Sequence, residues 1–195
     1  MLVELESVES TNGWARKHMY DLYTHHFTTI TAKKQTAGYG QHNRPWISPV
    51  GNLYASFTFC VREPFRYSRE LSIDVAHQVK KVVDQCGVKS SIKWPNDILI
   101  NGKKVAGILI ETIPVAHKRF VICGVGINVN CTDPSFFDQI DQPATSLAQV
   151  QNKEFDLNQI LHELQVKIQL LHTTFSHKNH FNGQEFEEGT NQALQ

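Results

Sequence analysis

The sequence predicts an α+β domain: a mixed, largely antiparallel sheet with helices packed on one face and a site on the other. Two long segments repeat apolar residues at helical spacing, and several short runs read as strands. One run, KWPNDILINGKKVAGILIE over residues 93–111, reads as a β-hairpin with polar groups at its ends.

The hairpin organises the rest. Residues 98–100 form a short apolar strand, Asn101-Gly102 is the strongest two-residue turn signal, and residues 105–110 return. Trp94-Pro95-Asn96-Asp97 sets a rigid turn, an amide and a carboxylate before the first strand. Lys104 opens the return strand, and Ala106-Gly107 follow with almost no side chain. A hairpin fixes register, so Lys104 and Asp97 can face one pocket, with Gly107 leaving a ligand room near the backbone. Taken alone, such a run more often describes a plain hairpin with a flanking lysine.

In chain order, residues 2–8 alternate apolar and acidic side chains, as an edge strand does. Ser10 or Thr11 can cap a helix over residues 12–23, with Trp14, Ala15, His18 and Leu22 on one face. Residues 28–34 read as a strand leading into a polar, glycine-containing loop, and a second strand covers 53–61. The loop's length and glycines suit a ligand loop as well as a bare surface loop. Residues 68–86 form an amphipathic helix on Leu71, Val75, Val79, Val82 and Val83, closed by Gly87. Residues 119–130, RFVICGVGINVN, read as an apolar strand. Gly124 and Gly126 weaken it unless a ligand or backbone approaches, or the sheet bends there. A second amphipathic helix runs over 156–174, capped by Asp156 and striped by Leu157, Ile160, Leu161, Leu164, Ile168 and Leu171. Beyond Lys178 the chain is polar, and a frayed tail over 179–195 is expected.

At 195 residues the chain suits one domain with a full core. Lys+Arg 19 balances Asp+Glu 19, which argues against a general polyanion binder such as a DNA-binding protein. Cys60, Cys86, Cys123 and Cys131 form no CxxC pair, so reduced thiols of a cytoplasmic protein are expected, not a disulfide frame or zinc site. No apolar run approaches membrane-spanning length and no signal peptide opens the chain. His172, His177 and His180 lack metal-site spacing and read as solvated, so no protein metal site is expected.

Five runs together resemble the biotin protein ligases. KWPND, followed eleven residues on from Lys93 by the lysine of KVAG and then by ILIE, is the longest. Ser10-Thr11-Asn12 after the first strand, QxAGxG–RxWxSP–GNLYxS over residues 35–56, GxGIN over 124–128 and, more weakly, Ala144-Thr145-Ser146-Leu147 complete the set. The resemblance covers about residues 10–147, most of the chain. It implies the biotin–lipoate ligase catalytic fold, similar to class II aminoacyl-tRNA synthetases. It also implies two half-reactions. Biotin and MgATP give biotinyl-5′-AMP and pyrophosphate, and a lysine of a biotin carboxyl carrier protein, of acetyl-CoA carboxylase or a similar biotin-dependent carboxylase, then takes the biotinyl group.

By matching position, the resemblance implies that Lys104 bridges the biotin carboxylate and the α-phosphate, and that Asp97 orients or deprotonates the incoming lysine. Ser10, Thr11, Asn12 and Gln35 would read the ureido ring, beside Tyr39, Gly40, Gln41 and Gly107. Gly38, Arg44, Trp46, Asn96 and Asn128 would hold the nucleotide, Arg44 meeting the phosphates. One departure stands out. The family loop commonly reads GRGRRGR, whereas residues 38–44 read GYGQHNR and keep only Arg44. Loss of guanidinium groups weakens charge-assisted hydrogen bonding to phosphate, so closure through neutral contacts of Tyr39 and Gln41 is expected, with faster escape of the activated intermediate.

The expected organisation is a catalytic domain over residues 1–178 with a polar tail over 179–195, and with neither the N-terminal DNA-binding domain nor the full C-terminal β-barrel of some relatives. Relatives often dimerise through sheet edges, so a homodimer is one expectation. A lipoate- or octanoate-ligase-type acyltransferase is a rival activity, and a catalytically dead biotin-binding module is a rival of another kind.

Overall fold

The structure is a computed structural model; it describes the backbone of residues 1–62 and 68–190 and the side chains of residues 1–62 and 70–175. Seven strands form one sheet in the order β1-β2-β3-β7-β6-β5-β4. They are β1 (Leu2–Val8), β2 (Thr28–Gln35), β3 (Leu53–Arg62), β4 (Ser91–Lys93), β5 (Asp97–Ile100), β6 (Lys103–Val115) and β7 (Lys118–Ile127). Only β1 and β2 run parallel; every other neighbour is antiparallel. The mixed, largely antiparallel sheet is the one the sequence predicts.

Strand alternation divides the sheet into two faces. Leu53, Ala55, Phe57, Phe59 and Val61 of β3 and Val121, Cys123, Val125 and Ile127 of β7 face one core. Helices α3 (Ser68–Gln85) and α6 (Leu157–Thr190) close it, through Leu71, Val75, Val79, Leu164 and Ile168. Burial raises every cysteine thiol, Cys123 up to about 12, and all four are free.

The opposite face, where the site is expected, carries helices as well. Helix α1 (Thr11–Lys17) and the single turn α2 (Met19–Leu22) lie on it, so helices pack on both faces. The expected single helix over 12–23 breaks at His18, whose backbone (φ −101°, ψ 20°) leaves the helical region and whose ring stacks on Trp14 at 3.9 Å. A smaller core, Ala15, Leu22, Ile30, Phe120 and Ile122, fills that end of the face. On β7 the same face then continues as Gly124 and Gly126, so the apolar filling gives way to open backbone.

Three further elements carry no strong periodicity: β4, α4 (Pro134–Phe137) and α5 (Leu147–Gln151). Helix α6 is described to Thr190, so the frayed tail expected beyond Lys178 is helical there, and residues 191–195 lie outside the described residues. The apolar stripe reaches Phe175, one turn past the expected end, which anchors the helix as it leaves the sheet. His172 is half-buried and not freely solvated: its ring packs 4.9 Å from Phe59 and 6.2 Å from Phe27, and burial pushes its pKa down. The side chains of His177 and His180 lie outside the described residues. Among the described residues no helix is long and apolar enough to cross a membrane.

Candidate active site

The hairpin of β5 and β6 forms as its sequence dictates. Asn101 and Gly102 take φ of 51° and 77°, the left-handed pair that a two-residue hairpin turn requires. Pairing shifts between Ile98 and Leu99, a bulge that sets Asp97 opposite Gly107 and Leu99 opposite Lys104. Lys104 is held from its other side as well: its N–H donates to Pro143 O and its C=O accepts from Thr145 N–H, at 2.8 and 2.9 Å. The side chains of Lys104 and Asp97 then meet, Nζ to Oδ1 at 2.7 Å, each only 13% exposed. The ammonium also lies 5.2 Å from the ring centre of Trp46. Opposite charges on rigid backbone thus share one pocket, as the hairpin pattern predicts.

That pocket is a cavity of about 460 Å³ on the α1 face of the sheet. Ser10, Thr11, Asn12, Gln35, Tyr39, Gly40, Gln41, Arg44, Trp46, Asn96, Asp97, Lys104, Gly107 and Asn128 all line it. Residues 139–142 and Ala144 add a wall that the sequence analysis did not assign.

At one end, Ser10 caps α1, its Oγ accepting from Gly13 N–H, so the capping reading of Ser-Thr-Asn and its place in the pocket hold together. Gln35 Oε1 accepts from Thr11 N–H at 2.8 Å, and Gln35 Nε2 donates to Ser48 Oγ at 2.9 Å. Ser48 in turn donates to Trp46 O. Ser56 Oγ sits between Thr11 Oγ1 (2.8 Å) and Asn12 Oδ1 (2.5 Å) on the buried side. Asn12 Nδ2 donates to Glu111 Oε2 at 2.9 Å, and Glu111 pairs through Oε1 with Arg16. Tyr39 Oη donates to Glu111 Oε2 at 3.1 Å. Burial, then the neighbouring carboxylate, push the Tyr39 phenol above its ordinary pKa, so it stays a donor at neutral pH. The bond to Glu111 holds Arg16 still more firmly protonated.

The glycines do different work from that expected. A Cβ on Gly126 would lie 2.6 Å from the Trp46 ring, and one on Gly124 would lie 2.4 Å from Asn12 Oδ1. A Cβ on Gly107 would meet Trp46 at 3.0 Å and Lys104 at 3.3 Å. Gly107 lines the cavity and also leaves room for the protein's own Trp46 ring and Lys104 side chain. Gly38 does not line the cavity. Its Cβ position is crowded by Trp46 O, Gln35 Nε2 and Ser48 Oγ, all within 2.7 Å, so it permits the close turn beneath the loop.

Asn96 and Asn128 both spend an amide on the fold. Asn96 Nδ2 donates to Ile108 O, and Asn128 Nδ2 donates to Thr145 O. Arg44 is exposed on the loop at the cavity wall. Glu111, Ser56 and Arg16 are the contributors that sequence reasoning missed. Glu111 closes the ILIE run and Ser56 closes the GNLYxS run, and neither was given a role, while Arg16 has no local signal.

The domain sets a lysine–aspartate pair on a hairpin, a capped helix and a glycine-containing loop around one cavity. The Biotin/lipoate A/B protein ligase family matches residues 4–128, and the chain belongs to it. The chain is 40% identical over 132 residues to the bifunctional ligase/repressor BirA of Bacillus subtilis (strain 168), covering 66% of this chain and 41% of that protein. It is 34% identical over 104 residues to the biotin–[acetyl-CoA-carboxylase] ligase of Paracoccus denitrificans, covering 51% of this chain and 43% of that one. It thus spans about two fifths of the length of these curated relatives. Among solved structures, the biotin protein ligase of Aquifex aeolicus in complex with biotin and ATP superposes with a TM-score of 0.74 at 29% identity, over 91% of this chain and 72% of that one. The fold extends to the Plasmodium falciparum LipL1 in complex with lipoate, at TM-score 0.55 and 12% identity.

Proposed function

We propose that this chain activates biotin with ATP and transfers it to a lysine of a carboxyl carrier domain. The buried Lys104–Asp97 pair carries this reading. It stands in a cavity lined at one end by amides and hydroxyls suited to a ureido ring and at the other by Arg44 and Trp46. Similarity to ligases solved with biotin and ATP supports the same substrates.

The chemistry asks the protein for alignment, charge neutralisation and dryness, not for covalent participation. In the first half-reaction the biotin carboxylate oxygen attacks the α-phosphorus and pyrophosphate leaves. Lys104 would turn from Asp97 toward the carboxylate and phosphoryl oxygens, where negative charge gathers. In the second, the carrier's lysine amine attacks the acyl carbon and AMP leaves. Asp97, freed of its partner, would accept or steer the amine proton. Trp46 and the loop would keep water from the mixed anhydride. Magnesium enters as part of the MgATP substrate. The carrier would be that of acetyl-CoA carboxylase or another biotin-dependent carboxylase, in keeping with the Paracoccus relative's name.

The test is incubation with biotin, MgATP and a carrier domain, followed by mass measurement of the carrier and a pyrophosphate assay. A biotinyl mass increase on the carrier is expected. Biotin-dependent pyrophosphate release without transfer would limit the reading to activation, and no release would overturn it.

A further inference from the structure

The loop over the cavity lacks most of its family's arginines, yet it is not loose. Its base is closed by Trp46 N–H to Gly38 O at 2.8 Å and by Gly40 N–H to Arg44 O at 2.9 Å. At its crown, Tyr39 Oη donates to Glu111 Oε2 at 3.1 Å, a tether to another part of the fold. Glu111 stands on β6, on the face that carries Gly107 and Leu109. A single carboxylate oxygen, Oε2, takes both the loop's phenol and the Asn12 amide, while the other takes Arg16. The carboxylate is only 17% exposed, so its charge is compensated by Arg16 and two hydrogen-bond donors, as a largely buried carboxylate requires. Two other pieces of chain converge on this β6 residue: the loop through Tyr39, 72 residues away, and α1 through Arg16 and Asn12, 95 and 99 residues away.

We infer that Glu111 is a positioning residue which, braced by Arg16, latches the loop through Tyr39 and fixes the Asn12 amide in the same act, so that loop closure and formation of the biotin end of the cavity are one event. The inference rests on the ligase reading for the ligand's identity, and on geometry alone for the latch. In an arginine-rich loop, closure draws on charged donors aimed at phosphate. Here the tether is a neutral phenol aimed at the protein's own carboxylate, which also holds the Asn12 amide, so it needs no phosphate to form. It follows that the latch governs biotin affinity more than ATP affinity.

Hydrogen–deuterium exchange over residues 39–46, with biotin and ATP KM values from pyrophosphate release, tests this in the unaltered protein, Tyr39→Phe, Glu111→Ala and Glu111→Gln. Tyr39→Phe keeps the ring and removes only the donor. It should speed exchange in the loop and raise the KM for biotin by roughly three- to tenfold each, the scale set by one hydrogen bond to a charged acceptor. The KM for ATP should move less than that for biotin. Glu111→Ala should exceed this effect, and Glu111→Gln, which keeps an acceptor oxygen for Tyr39 but loses the charge for Arg16, should fall between. Unchanged loop exchange in Tyr39→Phe, or equal rises in both KM values, would overturn the latch. A merely structural role for Glu111 would lower stability without splitting the two KM values. If the unaltered protein releases no pyrophosphate with biotin, the ligase reading fails, and the exchange data still decide the latch.

Discussion

The two walls of the cavity are built on opposite plans. The hairpin wall carries charge on paired backbone: Lys104 and Asp97 sit on neighbouring strands, and Lys104 is bonded on its outer side to residues 143 and 145. The loop wall, residues 36–52, carries recognition on backbone that belongs to no strand. Its hold comes from Tyr39 on Glu111, from Gln35 and Ser48 beneath it, and from the Trp46 ring laid over Gly107 and Gly126. On the proposed function, the wall that would meet developing charge is the one on paired backbone, as it should be if a displaced ammonium loses much of its effect. The wall that would admit and retain substrates is seated by side-chain contacts.

If this division is right, damage to the hairpin wall should strike the chemical step. Lys104→Ala should abolish adenylate formation, with a loss on the order of 10³-fold or more in pyrophosphate release, the range of a preorganised charge-stabilising group. Near-normal turnover would remove the contrast altogether. Damage to the loop wall should strike retention instead. Gly126→Ala puts a methyl where the indole lies, and a core with no room for it costs about 1–3 kcal/mol in displaced groups. The expected result is roughly a ten- to hundredfold rise in the KM for ATP, read by initial rates at saturating biotin. A selective fall in single-turnover chemistry would instead put Trp46 with the rigid wall.

The arginine-poor sequence of the loop offers a gentler probe. His42 and Asn43 hold φ of 57° and 56°, a region that asparagine and histidine enter more readily than most side chains. The family pattern sets a glycine where Asn43 stands, which suits the same backbone. Gln41 lies outside that strained pair and lines the cavity. Gln41→Arg should return one charged donor without disturbing the turn, and slow release of the activated intermediate by about three- to tenfold in a rapid-filtration assay. An unchanged release rate would mean that the neutral latch already limits escape.

These contrasts also mark what the sequence could convey. The turn at Asn101-Gly102, the two amphipathic helices and the lysine–aspartate pair are legible because each rests on spacing within about a dozen residues. Lys104 and Asp97 would have stood on opposite surfaces had the register slipped by one, and the bulge between Ile98 and Leu99 is what local pattern does not disclose. The partners of the glycines were illegible for a different reason. Gly124 makes room for Asn12 and Gly126 for Trp46, and those pairs meet only once β7 has been laid beside β3. Glu111 was hidden likewise, since its donors come from the far end of the chain. The break of the first helix at His18 arises from a ring stacking back on Trp14, which helical periodicity does not encode.

The smallest expected effect comes from behind the sheet, and it asks whether either wall depends on that layer. His172 on α6 packs against Phe27 and Phe59, and burial disfavours its imidazolium, so its pKa in the folded protein lies below the unfolded value of 6.5. A depressed histidine stabilises the fold fully above the unfolded pKa, and the contribution is lost as pH falls through 6.5 toward the folded value. The urea midpoint should therefore drop between about pH 7.5 and 5.5, and His172→Phe should flatten that drop while keeping a ring on Phe59. The cation-bearing hairpin and the loop both lie on the other face, so the KM values for biotin and ATP at pH 7.5 should follow the unaltered protein. A shift in biotin KM alone would show that packing behind β3 reaches the loop wall through Ser56, and a shift in the chemical step that it reaches the hairpin through β7 and β6.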